Sequence, residues 1–115
     1  VEQCGILGHC THQYVSEANG NIYPCDFYCT DEYFLGNILK TDFATMEKSE
    51  TAKNFIKESL KIPEKCKNCN VFGLCRAGGC KRTQVSEDYC IAYKRFFTSC
   101  LPLFRVFINE KPWSV

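Results

Sequence analysis

The chain has 115 residues, and its 14 basic and 13 acidic side chains give a formal net charge of +1. This length allows one domain with a moderately large core. A charge so close to zero gives no field that would attract nucleic acid or an anionic membrane, and we expect neither as a partner.

Features of the sequence also indicate where we expect the protein to reside and whether we expect the chain to be a fragment. No signal-peptide pattern and no run of about 18 apolar residues is present, which favours a cytoplasmic protein without a membrane span. The sequence starts at Val1 without an initiator Met, so we expect a fragment of a longer protein.

The first predicted element is a β-hairpin. Residues 13–17 and 21–23 are β-prone, and the Asn19-Gly20 pair between them is the strongest short hairpin signal. Cys10 and Cys25 flank this hairpin at comparable distances from the turn. An antiparallel ribbon brings both thiols to the same end, which assigns them to one centre.

Short helices follow the hairpin. The run from Leu35 to Ile38 is expected to break the chain, after which Asp42 caps a short helical turn with Phe43 and Met46. A second helix is predicted from about Glu50 to Leu60, with apolar residues on one face and Pro63 after its end.

A cysteine-rich knuckle comes next, with the spacing Cys66-x2-Cys69-x5-Cys75-x4-Cys80. It has no sustained period, so its shape should depend on what it ligates. Basic residues gather around it, and they either offset cluster charge and raise a reduction potential or form an ordinary solvated surface: Lys61, Lys65, Lys67, Arg76, Lys81 and Arg82.

The last predicted element is a helix that begins near Ser86. Its apolar stripe is read as core, and we expect Pro102 to kink or break the helix. The stripe consists of Tyr89, Tyr93, Phe96, Phe97, Cys100 and Phe104. The apolar residues beyond Pro102 either pack on the domain or on a part of the protein outside this sequence.

Ten cysteines in so short a chain allow three interpretations. Eight of them form two interleaved groups of four, which favours two iron–sulfur clusters. A zinc-binding interaction module is the second interpretation, and a disulfide-rich secreted domain is the third. The expected fold is a small α+β domain that depends on metal or cluster binding, over residues 1–110, with a tail at 111–115.

The order and spacing of seven cysteines resemble those of SPASM domains, the auxiliary cluster domains of radical S-adenosylmethionine (AdoMet) enzymes. These cysteines are Cys10, Cys25, Cys66, Cys69, Cys75, Cys80 and Cys90. Within that family the chain looks most like anaerobic sulfatase-maturating enzymes. The residues that carry this likeness are the runs 4–11, 17–20, 23–28, 35–38 and 93–97.

The resemblance implies ligands, chemistry and partners. One 4Fe–4S cluster would be held by Cys4, Cys10, Cys25 and Cys80, and a second by Cys66, Cys69, Cys75 and Cys90. Whole members of the family oxidise a Cys or Ser of a sulfatase to Cα-formylglycine. The implied partners are the N-terminal radical AdoMet barrel of the parent enzyme and a sulfatase-like substrate. SPASM domains of peptide-crosslinking, thioether-forming enzymes remain an alternative, and zinc is an expected occupant of air-purified material.

The aspartate after the third ligand is the proposed base in that family, and Asp26 matches it. From its position alone, Asp26 also fits a residue that caps a turn. The AdoMet-binding Cys-x3-Cys-x2-Cys motif is absent, because Glu32 stands where a third cysteine would follow Cys25 and Cys29. AdoMet and a third cluster therefore belong to the missing N-terminal domain, and we expect no activity from this chain alone. Cys29 and Cys100 are read as free thiols, and His9 and His12 as bystanders.

Overall fold

The computed structural model describes residues 7–80 and 87–110, with side chains up to Phe107. Cys4, Lys81, Arg82 and the tail at 111–115 lie outside the described residues. The described elements form a three-stranded antiparallel sheet, a pair of helices beside it, the knuckle, and one long helix. The expected small α+β fold is confirmed.

The predicted hairpin is present and is joined by a third strand. Strands β1 (Val15–Ser16) and β2 (Asn21–Tyr23) pair with Val15 opposite Tyr23. Gly20 turns between them with φ +84°, a conformation that glycine adopts without a steric penalty. Strand β3 (Gly36–Asn37) pairs with β2, so the expected chain break at residues 35–38 is wrong. Buried Leu35, whose N–H donates to the Ile22 carbonyl, brings this segment to the sheet.

Two capped helices lie next to the sheet. Helix α1 (Phe43–Lys48) starts at Asp42, whose carboxylate accepts the Thr45 N–H at 2.7 Å. Helix α2 (Glu50–Ser59) starts at Ser49, whose hydroxyl accepts the Ala52 N–H. Both starts follow the preference for short polar side chains at a helix N-cap.

The core lies between the sheet and these two helices. Its buried cluster consists of Ile22, Leu35, Met46 and Ala52. Phe55 of α2 is fully buried and packs edge-to-face against Tyr28 and Tyr33. This packing fixes the segment after the hairpin, which contains Cys25, against α2.

The knuckle folds into three short turns of helix. Helix α3 (Glu64–Lys67) contains Cys66, and helix α4 (Phe72–Cys75) ends at the third knuckle cysteine. A 3-10 turn (Arg76–Gly78) then leads to Cys80.

Helix α5 (Glu87–Glu110) runs through Pro102, so of the two expected outcomes, a kink or a break, the break does not occur. A proline removes only one intrahelical hydrogen bond, and helices accommodate it by bending as well as by ending. Its aromatic stripe is also not core, because Phe96 is 53% exposed and Tyr89 65%. No helix in the described ranges is long and apolar enough to span a bilayer.

Candidate metal centres

Cys10 and Cys25 lie in the two segments that continue the hairpin beyond its paired strands. The Gln13 N–H donates to the Pro24 carbonyl at 2.8 Å, which extends the ribbon beyond β1 and β2 towards Cys10 and Cys25. The Cys10 N–H donates to Ser59 Oγ at 2.9 Å, so the C-terminal end of α2 holds this cysteine in place. Nothing in the sequence pattern pointed to Ser59.

Cys80 reaches the same region from the knuckle. The pKa of the Cys25 thiol is raised, mainly by burial, then by the adjacent Asp26 and by the like charge of Cys80. An effect of Cys80 on Cys25 requires the two thiols to be near each other. Gly8 also approaches the knuckle, and a Cβ at Gly8 would lie only 2.8 Å from Arg76 Cβ. Of the cysteines expected in the first group, Cys25 and Cys80 are therefore near each other, and Cys10 lies in the segment that precedes the paired part of the hairpin.

The second group comes together around Cys66, which is buried at the end of α3. Burial raises the pKa of the Cys66 thiol, and the like charges of three other cysteines raise it further: Cys90, Cys75 and Cys69. Hydrogen bonds fold the loop that presents these thiols, since the Cys69 N–H donates to the Cys66 carbonyl at 3.2 Å. Cys90 comes from the first turns of α5. The structure thus brings together the four cysteines expected for a second cluster.

The donor set fits iron–sulfur chemistry. All nine described cysteines are free, so no disulfide joins any two of them. Among the described residues no three His, Cys, Asp or Glu side chains form a group that would hold a single metal ion. In a four-iron cluster each thiolate binds a different iron, so the sulfurs stand farther apart than around one ion. Free cysteines are the donors that such clusters require.

An open cavity of about 880 Å³ adjoins the first group at Cys80. Its walls come from the segment before Cys10, the end of α2 and the knuckle. Basic residues at this cavity include Lys61, Lys65 and Arg76, and Glu58 accepts a hydrogen bond from the Tyr33 hydroxyl at 3.2 Å. The surroundings of Cys80 therefore carry positive charge suited to an anionic group.

Asp26 lies on the solvent side of the first group. Its Oδ1 accepts a hydrogen bond from the Cys25 thiol at 3.4 Å, and the residue is exposed. The carboxylate is therefore open to solvent beside the Cys25 sulfur.

Two of the remaining candidate residues, Cys29 and His12, form hydrogen bonds with backbone carbonyls. The Cys29 thiol donates to the Cys25 carbonyl at 3.5 Å, and burial is the main reason that the pKa of this thiol is raised. His12 Nε2 donates to the Ala52 carbonyl at 3.0 Å, next to Phe55. His9 lines the cavity, and Cys100 lies half-buried on α5, ten residues after Cys90.

Two groups of cysteines in a small α+β fold are the features of an iron–sulfur cluster-binding domain. The family model with that description, SPASM, matches residues 7–70, more than half of the chain. The chain belongs to the SPASM family.

The chain is similar in sequence to curated relatives of one kind of enzyme. The chain is 46% identical over 109 residues to a cysteine-type anaerobic sulfatase-maturating enzyme of Clostridium perfringens, covering 86% of this chain and 29% of the relative. A serine-type enzyme of Bacteroides thetaiotaomicron is 31% identical, with 86% of this chain and 26% of the relative covered. The chain thus spans less than a third of these relatives.

Solved structures agree with this likeness. Native anSMEcpe with bound AdoMet superposes with a TM-score of 0.87 at 38% identity, over 96% of this chain and 32% of that one. The same protein with AdoMet and the Kp18Cys peptide gives a TM-score of 0.86, with the same two coverages. The fold of this chain is therefore that of part of a sulfatase-maturating radical AdoMet enzyme.

Proposed function

We propose that the chain is the auxiliary cluster domain of an enzyme that oxidises a Cys or Ser of a sulfatase to Cα-formylglycine, in the cytoplasm. The observation that carries the proposal is the gathering of Cys66 with Cys69, Cys75 and Cys90, while Cys25 and Cys80 form a separate group. Similarity to sulfatase-maturating enzymes of both the cysteine and the serine type supports the substrate class.

Each group of cysteines has a defined role in this proposal. Cys66, Cys69, Cys75 and Cys90 hold one 4Fe–4S cluster, and Cys10, Cys25 and Cys80 hold the other together with Cys4. Four thiolates at each cluster leave no iron open for substrate, so the clusters supply electron transfer and structural support. The buried position of Cys66 keeps water away from that end of its site.

Asp26 is proposed to take the proton from the substrate side chain. The carboxylate is exposed beside Cys25, so a peptide side chain can reach it from solvent. Oxidation of a Cys or Ser side chain requires a proton acceptor close to the site that accepts the electron. The AdoMet-binding cluster and the barrel that carries it would lie in the remainder of the parent polypeptide.

Anaerobic reconstitution of this chain tests the cluster assignment. We expect about eight iron per chain and broad absorption near about 400 nm, as two four-iron clusters require. Two or fewer iron per chain, or stoichiometric zinc in oxygen-free material, would contradict it. Mass spectrometry of a Cys- or Ser-containing sulfatase peptide, treated with the full-length parent and AdoMet, tests formylglycine formation. A thioether crosslink in place of the aldehyde would assign the parent to the peptide-crosslinking enzymes.

A further inference from the structure

The chain turns sharply after the hairpin and presents Asp26 at the surface. The Tyr28 N–H donates to the Cys25 carbonyl at 3.0 Å, and this hydrogen bond closes a β-turn. We call the segment from Cys25 to Tyr28 the Asp26 turn. Its two central residues, Asp26 and Phe27, are exposed, whereas Tyr28 is half-buried. The turn therefore faces solvent in its middle and the protein at its end.

The ring of Tyr28 anchors this end of the turn in the core. It lies edge-to-face against Phe55, with 5.4 Å between the ring centroids, and against Tyr33 at 5.2 Å. Phe55 is fully buried on α2, and Tyr33 packs against it in the same geometry at 5.4 Å. Edge-to-face contact is a favourable arrangement of aromatic rings. Three rings in mutual contact therefore hold the turn against α2.

The position of the Asp26 carboxylate depends on this support. In the proposed function iron binds the Cys25 sulfur at the start of the turn, whereas Asp26 has to stay open to the substrate. One of its carboxylate oxygens lies 3.4 Å from the Cys25 sulfur. A small rotation of the turn would change the distance between the base and the first group of cysteines. The contacts of Tyr28 limit that rotation.

We propose that Tyr28 is a positioning residue for Asp26, because the contacts of its ring with the core keep the carboxylate within reach of the substrate proton. This inference rests on the proposed function, since it takes Asp26 to be the base. A base has to lie within hydrogen-bond reach of the proton that it accepts. A displacement of about 1 Å lowers a rate by as much as about a hundredfold. Tyr28 itself contacts neither the substrate nor the reacting atoms in this proposal.

A role in the core alone predicts a different result. A ring that only stabilises the fold would affect iron content and stability, without a selective effect on the chemical step. Tyr14 provides the comparison, because its ring lies edge-to-face against Phe43 at 5.3 Å and packs against the buried cluster of the core. It lies directly before β1, outside the Asp26 turn.

Three variants of the full-length parent test the proposal: Tyr28→Leu, Tyr28→Phe and Tyr14→Leu. Leucine removes the ring and keeps an apolar side chain, whereas phenylalanine keeps the ring. For each variant, kcat and KM for formylglycine formation are measured with a Cys-containing sulfatase peptide, and iron content is measured after anaerobic reconstitution. Hydrogen–deuterium exchange in the peptide that contains the Asp26 turn reports local opening of the turn independently of activity.

We expect Tyr28→Leu to lower kcat about tenfold, with unchanged KM and iron content and with faster exchange in the Asp26 turn. A lower kcat at unchanged KM indicates the loss of an interaction that matters only in the transition state. Tyr28→Phe and Tyr14→Leu should both retain the kcat of the unmodified parent. Lost iron or an unchanged kcat in Tyr28→Leu, or an equal fall of kcat in Tyr14→Leu, would overturn the proposal.

Asp26→Asn, measured in the same assay, separates this proposal from the proposed function. Full turnover in Asp26→Asn would show that Asp26 is not the base, and a parent that forms no formylglycine would contradict the proposed function as a whole. If Asp26→Asn is inactive while Tyr28→Leu keeps the kcat of the unmodified parent, only the positioning role of Tyr28 is contradicted.

Discussion

Lys65 Nζ donates a hydrogen bond of 2.8 Å to Glu87 Oε2, and this ion pair connects the helix that contains Cys66 to the helix that contains Cys90. The two side chains are 40% and 73% exposed, so the pair adds little to the stability of the fold. The pKa of Lys65 is raised, first by the hydrogen bond to Glu87, and also by the charges of Cys90 and Cys66. Its ammonium group therefore lies near two ligands of the proposed second cluster.

Replacing Lys65 is expected to change a reduction potential. A positive charge about 10 Å from a cluster stabilises the reduced state by roughly 20–70 mV, for effective dielectric constants of about 80 to 20. Lys65→Gln should lower the potential of one cluster by this amount, as measured by spectroelectrochemical titration of the reconstituted chain. Lys65→Arg keeps the charge and should leave the potential close to that of the unmodified chain.

Lys53 provides the matched control for Lys65. It forms a similar exposed ion pair with Glu50 at 3.3 Å, but on α2, with no cysteine in that helix. Lys53→Gln should leave both potentials unchanged. Equal shifts in the Lys53→Gln and Lys65→Gln variants would show that net charge, and not the position of Lys65, is responsible.

Iron content distinguishes the ligand cysteines from the others. Cys66→Ala should remove about four of about eight iron per chain, because one cluster loses a ligand at the centre of its group. Cys29→Ala and Cys100→Ala should keep the full iron content, since these thiols belong to neither group. Iron and sulfide quantitation after anaerobic reconstitution measures this difference. A Cys66→Ala chain with unchanged iron would exclude Cys66 as a ligand.

Local signals in the sequence predicted the hairpin and the first two helices well. The Asn19-Gly20 turn, the Asp42 cap and the apolar face around Phe55 each depend on residues within a few positions of one another. The third strand was missed because Gly36 and Asn37 have low strand propensity. They pair with β2 only because neighbouring Leu35 is buried in the core.

The two groups of cysteines depend more on contacts between distant parts of the chain than the hairpin and the first two helices do. Hairpin geometry predicted that Cys10 and Cys25 lie together, and family resemblance supplied the two groups of four. Neither indicated the hydrogen bond from the Cys10 N–H to Ser59, which joins residues 49 positions apart. The prediction that the apolar stripe of α5 is core was wrong, because apolar residues at helical spacing indicate one face of a helix but not whether this domain covers that face.

Asp26→Asn in the full-length parent should abolish formylglycine formation and leave the iron content unchanged. The amide has a similar shape but does not accept a proton at neutral pH, so only the proposed base is removed. Mass spectrometry of the substrate peptide measures the product, and iron analysis of the same sample measures cluster assembly. Asp31→Asn, which alters another exposed aspartate nearby, is the control and should keep full activity. An Asp26→Asn enzyme with the same turnover as the unmodified parent would exclude Asp26 as the base.

The turn before Cys80 contains unusual backbone angles. Arg76 and Ala77 have φ of +48° and +56°, and Gly78 and Gly79 follow with φ of +87° and +85°. Four successive residues with positive φ reverse the chain and bring Cys80 towards Cys25. For a residue with a Cβ, this conformation costs about 1–2 kcal/mol.

Ala77→Gly is expected to stabilise the reconstituted chain by about 1 kcal/mol, because glycine adopts φ near +56° without that steric cost. Its greater freedom in the unfolded state offsets part of this gain. Anaerobic urea unfolding, followed by the absorption of the clusters, measures the change. Ala92→Gly makes the same chemical change within right-handed α5, where it should destabilise by about 1 kcal/mol. Opposite signs for the two substitutions are the expected result, and a loss of stability at both positions would show that Ala77 is not strained.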